Sequence, residues 1–179
     1  ALASCVERDL GLGYILRRVL KKQRLSEHWL GLELEGTPLG DAWEHPGLNE
    51  IVPFHKLSQW LSYSLLGPLE LAGKKVTQQD LTGLPEYRNG GMLIDSGVLE
   101  YKGDASIALS PEDPTIIEWR ALTVQLLDQL LPLVNGELGA NLSLGSMLEG
   151  GTWAYGRELA QTKRGGPPPL TLKSDGTVF

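Results

Sequence analysis

Two stretches of this 179-residue chain set a carboxylate, an aromatic ring and a guanidinium on consecutive residues, Glu86-Tyr87-Arg88 and Glu118-Trp119-Arg120. A carboxylate activates water or stabilises an oxocarbenium-like transition state, a ring stacks on a flat base or ureido group, and an arginine fork holds phosphate. Asp41, Asp95, Glu149 and Asp175 add carboxylates, Trp43 and Trp153 add rings, and Arg157 adds a guanidinium. The combination suits a sugar or nucleoside site. Core tryptophans and buried ion pairs use the same residue types, so a structural role stays open for each residue taken singly.

Arg120 makes the sharper demand. Reading Pro114 to Val134 as a helix gathers Trp119, Leu122, Val124, Leu126, Leu127, Leu130 and Leu131 on one apolar arc, with Arg120 inside it. A cation among leucines is costly unless a carboxylate or anion meets it with good geometry. The spacing therefore predicts a buried partner for Arg120, a carboxylate or a bound anion, and that partner marks a candidate site.

Other chemistries find little support. No histidine or cysteine spacing matches a zinc pattern, so no metal is expected. Nucleophile-elbow, Walker and dinucleotide motifs are absent and no cofactor is expected. The balance of 22 acids against 16 bases, net charge −6, argues against a nucleic-acid partner. No apolar run approaches membrane-spanning length, and the lone Cys5 makes the reducing cytoplasm the default compartment.

The elements that must position these residues are mostly helical, in one domain over residues 1–179. Leu10–Leu20 has helical spacing, and Leu30, Leu32 and Leu34 alternate as a short half-buried strand entering a turn at Gly36-Thr37-Pro38. Leu39 to Asn49 reads as a loop. Pro53 then opens a helix to Leu66, stopped by Gly67-Pro68, with His55, Gln59 and Ser62 on a polar face that borders a cleft or meets water. Pro85 opens a helix through Asp95 capped at Ser96-Gly97; its Gly90-Gly91 pair signals close approach of a backbone or a ligand. Ser146 and Glu149 form a capping box for a last helix to Lys163, with Gly150-Gly151 in its first turn, and Gly165 to Phe179 reads as extended.

The segments Val52–Trp60, Leu84–Gly91, Glu118–Val124, Leu148–Trp153 and Ser174–Phe179 resemble a fungal and bacterial family of unassigned activity linked to uracil catabolism. The resemblance runs from about Leu32 to the terminus. It implies that this chain is the C-terminal part of a longer protein, whose missing N-terminal half would be its partner. A weaker likeness, carried by Glu86-Tyr87-Arg88, Gly97-Val98-Leu99-Glu100-Tyr101 and Glu118-Trp119-Arg120-Ala121, is to the queuosine nucleotide N-glycosidases. It implies a mainly α domain with a few short strands, of the DNA-glycosylase-like fold. It also implies an acid at position 86 near the scissile bond, organised by Arg88 and Arg120. Glu86 stands where that pattern usually has aspartate.

Together these readings give an expected function in pyrimidine breakdown, the hydrolysis of an N-glycosidic bond in a ribosylurea-like or nucleotide intermediate. Glu86, Arg88 and Arg120 are the candidate catalytic residues. Trp43, His55, Tyr87, Asn89, Asp95, Glu118, Glu149, Trp153 and Arg157 are the candidate binding residues. The alternative is a non-catalytic binding or partner subunit of the same pathway.

Overall fold

The computed structural model describes residues 32–48, 50–76 and 81–173; the helix expected at Leu10–Leu20, Leu30 and the Ser174–Phe179 motif lie outside them. The chain is mainly helical, with two small antiparallel strand pairs. Among the described residues, no helix is long and apolar enough to cross a membrane.

The first pair, β1 (Glu33–Leu34) and β2 (Thr37–Pro38), turns at Glu35-Gly36, where φ is 51° and 76°. Positive φ at both central residues is the hairpin geometry that matches strand twist. Leu34 is exposed, so the alternating leucines do not make a half-buried strand. Two-residue strands have too little face to cover.

The expected loop at Leu39–Asn49 contains a second hairpin. Its strands β3 (Ala42–His45) and β4 (Glu50–Pro53) pair from Ala42↔Pro53 to His45↔Glu50. The sequence Ala-Trp-Glu-His holds no β-branched residue and announces a strand weakly. Trp43 of β3 packs with Phe54 and Ile117, which fixes the hairpin against the helices.

Helix α1 (Lys56–Leu71) starts three residues after Pro53, which instead closes β4. His55 provides the reversal in left-handed conformation, φ 50°. Pro68 does not stop this helix. It removes one intrahelical hydrogen bond near the C-terminus, and the chain leaves the helical turn only at Gly73, φ 71°.

Helix α2 (Tyr87–Asp95) packs against α3 (Pro114–Leu138). Pro85 lies before α2, and Glu86 occupies the capping position. Asp113 caps α3 through the Thr115 N–H, and Pro114 sits in its first turn. The buried side of α3 carries Ile116, Ile117, Trp119, Arg120, Thr123 and Leu127, whereas Leu122 faces outward. The helix ends at left-handed Gly139, beyond the expected Val134.

Gly90 and Gly91 serve this packing. A Cβ on Gly90 would lie 2.8 Å from Trp119 Nε1 and Thr123 Oγ1, and one on Gly91 would lie 3.0 Å from Pro169 Cδ. Trp119 Nε1 donates to the Gly90 carbonyl at 3.0 Å, so the close neighbour of Gly90, expected to be a backbone or a ligand, is an indole side chain.

Short α4 (Leu144–Met147) runs into a π-helical turn (Leu148–Thr152) and then α5 (Trp153–Arg164). The cap is Ser143, whose Oγ accepts from Ser146 N at 3.2 Å; Ser146 and Glu149 do not form the expected box. Helix α5 lies along α2. A Cβ on Gly156 would overlap the Arg88 carbonyl, so the two backbones meet there as only glycine allows. After left-handed Gly165, the extended chain forms a parallel bridge from Leu172 to Leu109.

Candidate functional site

The partner that Arg120 requires is Asp41, which immediately precedes β3. Arg120 Nη1 and Nη2 donate to Asp41 Oδ1 and Oδ2, each at 2.7 Å. Asp41 is 2 % exposed and Arg120 0 %. The same carboxylate accepts from Trp43 Nε1 at 2.8 Å and from the Lys56 backbone N–H at 3.0 Å. Burial alone would raise the Asp41 pKa; hydrogen bonds and charge from Arg120, with the Trp43 and Lys56 donors, overcome it and hold the carboxyl below its usual range.

Arg120 reaches the other triplet through one further bond. Its Nε donates to the Pro85 carbonyl at 3.2 Å, and its guanidinium lies 4.1 Å from the Phe54 ring centroid. This fixes the backbone immediately before Glu86. Arg120 is thus buried with its guanidinium turned to Asp41 and the Pro85 carbonyl, and Asp41 is the partner that the apolar arc required.

Glu86 is 7 % exposed and caps α2 with both oxygens: Oε1 accepts from Asn89 N at 2.6 Å and Oε2 from Arg88 N at 2.9 Å. Its pKa is raised. Burial is the largest cause, opposed by those two N–H bonds and by the positive charges of Lys56 and Arg88. Each oxygen keeps a lone-pair direction beyond its capping bond. A carboxyl with a raised pKa is suited to exchange protons nearer neutrality than an ordinary glutamate.

Lys56 carries no local signal of burial, since a lysine in the first turn of a helix is ordinarily solvated. It is only 9 % exposed. Asp41 escaped as Arg120's partner because 79 residues separate them. The signal available was Asp41-x-Trp43, whose i, i+2 spacing lets the acid reach the indole N–H across an extended segment.

On the α5 side, Arg88, Trp153 and Arg157 converge. The Arg88 guanidinium lies 5.2 Å from the Trp153 ring centroid and 5.0 Å from that of Tyr87, and Arg157 lies 3.8 Å from Trp153. Trp153 thus carries the Arg157 guanidinium at stacking distance, with that of Arg88 farther from the ring.

The remaining predicted binding residues are dispersed. Trp43 is buried and its N–H is used by Asp41; Asn89 is buried, donating to Leu84 O at 3.3 Å and accepting from Thr152 Oγ1 at 2.9 Å. Asp95 lies at the far end of α2 and forms a fork with Arg164. The Glu118 side chain is 63 % exposed and lies 3.3 Å from His45 Nε2. Tyr87 packs with Ile116, Trp119 and Leu170, while His55 and Glu149 are exposed. Of the predicted set, Arg88, Trp153 and Arg157 come together, Glu86 adjoins Arg88 through its backbone N–H, and the others lie elsewhere. Among the described residues, no cluster of three or more His, Cys, Asp or Glu side chains forms a metal-ligand set.

Comparison with known proteins places this arrangement in context. Residues 6–179 match the family described as "Protein of unknown function (DUF1688)". Uracil catabolism protein 4 of Lachancea kluyveri is 48% identical over 178 residues, covering 82% of this chain and 40% of that protein. Protein urg3 of Schizosaccharomyces pombe is 50% identical over 155 residues, covering 81% of this chain and 39% of that protein. The chain thus spans about two fifths of the length of these curated relatives.

Proposed function

We propose a role in uracil catabolism for this chain, which belongs to the DUF1688 family, and within that role the hydrolysis of an N-glycosidic bond in a ribosylurea-like or nucleotide intermediate. The observation that carries the reading is Glu86, a buried carboxyl of raised pKa at the start of α2, between the charges of Lys56 and Arg88. The name of the Lachancea relative supports the pathway. The DNA-glycosylase-like fold, the small-molecule ligand, the cytoplasmic setting and the N-terminal half as partner belong to the same proposal.

In the reaction proposed, Glu86 takes a proton from water, whose oxygen bonds to the anomeric carbon as the carbon–nitrogen bond breaks. The departing nitrogen leaves with the bonding pair and takes a proton from solvent. Arg88 orients the ligand. The Asp41–Arg120 pair holds the Pro85–Glu86 backbone in register through the Pro85 carbonyl.

A second reading is a non-catalytic binding or partner subunit. It is favoured by the use of both Glu86 oxygens as a helix cap. Incubating the natural full-length protein with ribosylurea, uridine and their 5′-phosphates separates the two. Release of ribose or ribose phosphate that is lost in Glu86→Gln supports hydrolysis, and no release from any of them leaves the binding role.

A further inference from the structure

Among the described residues there are four arginines, and they divide by how their donors are used. Arg120 spends its fork on Asp41 and Arg164 spends its fork on Asp95. Among the described residues, Arg88 and Arg157 have no carboxylate within 4.0 Å and donate no side-chain hydrogen bond. Both lie against Trp153, at 5.2 and 3.8 Å from its ring centroid.

Stacking engages the flat face of a guanidinium and leaves its in-plane N–H donors pointing outward. The nearest acid in sequence to Arg88 does not spend them, because Glu86 turns both oxygens back onto the α2 backbone. The close contact of Gly156 with the Arg88 carbonyl brings the two cations to one ring. Two like charges on one platform are mutually unfavourable until an anion joins them, and this occurs in a chain whose net charge is −6.

We infer that Arg88 and Arg157, presented by Trp153, form a subsite for a phosphate monoester, so that the sugar ligand enters phosphorylated. The inference rests on the proposed sugar-binding role of the Glu86 site. Arg88 is two residues from Glu86, and its backbone N–H is bonded to Glu86 Oε2 at 2.9 Å, so a phosphate held here lies at the edge of the same site. Planar forks offer paired donors to phosphate oxygens, a geometry that a sugar hydroxyl does not require.

Calorimetric titration of the natural full-length protein with ribose 5-phosphate, ribose and inorganic phosphate tests this. Arg157→Met serves as the variant because Arg157 is exposed and its loss leaves the core intact. The expected result is saturable binding of ribose 5-phosphate, weakened at least tenfold by Arg157→Met and by raising salt, with ribose at least tenfold weaker. No binding at millimolar concentration, equal affinity for ribose and ribose 5-phosphate, or indifference to Arg157→Met would overturn it. Inorganic phosphate binding as tightly as ribose 5-phosphate would overturn the sugar phosphate as occupant. Phosphate-dependent binding without glycosidic cleavage leaves the subsite standing and the hydrolase reading fallen; cleavage that ignores both phosphate and Arg157→Met does the reverse.

Discussion

Asp41 and Arg120, 79 residues apart, close on each other in a two-point fork with both N–O distances at 2.7 Å. The fork ties the entry to the β3–β4 hairpin to the second turn of α3. Through the Pro85 carbonyl it also fixes the chain entering α2. Removing one partner of such a buried pair strands the other charge, which costs about 3–5 kcal/mol. Asp41→Ala is therefore expected to lower stability by that amount in urea unfolding. The Asp41→Leu/Arg120→Met double variant should recover a large part of the loss, because it leaves no lone charge.

The depressed pKa of Asp41 makes this contribution pH-dependent. A carboxyl more acidic in the folded state stabilises fully above its unfolded pKa, about 3.9, and loses that contribution as pH falls through the folded value. Stability measured downward from pH 5 should decline more steeply in the parent than in the double variant. Parallel curves would contradict the assignment.

Glu86 has the opposite sign. Its folded pKa is raised, so the folded state binds the proton more tightly. Its contribution is greatest below the unfolded pKa of about 4.3 and is lost as pH rises through the folded value. The stability difference between the parent and Glu86→Gln is expected to move in favour of the variant as pH rises across that window, as read by urea unfolding at successive pH values.

Gly156→Ala tests the seam between α2 and α5. The added methyl would meet the Arg88 carbonyl, a backbone atom that cannot swing aside. Overpacking of this kind costs about 1–3 kcal/mol. Thermal unfolding should show the loss, and Gly150→Ala, where a Cβ would find open space, should show far less.

Several of these relations were legible in the amino-acid sequence because they follow from local rules. Asp113-Pro114 announces the start of α3, and Ser96-Gly97 announces the end of α2. Arg120 on an apolar arc predicts the buried partner that Asp41 supplies. What stayed hidden depends on distant contacts. Nothing near Asp41 names Arg120, Lys56 resembles a solvated helix residue although the fold leaves it 9 % exposed, and Gly90-Gly91 permits a backbone, a ligand or an indole equally well. The β3–β4 hairpin is not legible locally because Ala42–His45 owes its strand to Trp43 packing on Phe54 and Ile117 rather than to local preference.

The most direct test of the hydrolytic role is the source of the oxygen in the product. The natural full-length protein is incubated with ribosylurea and its 5′-phosphate in heavy-oxygen water, and the released sugar, trapped by reduction before exchange, is weighed by mass spectrometry. Glu86 acting on water predicts one solvent-derived oxygen at the anomeric carbon and no labelled product from Glu86→Gln. Absence of released sugar, or equal labelled release by Glu86→Gln, would contradict it.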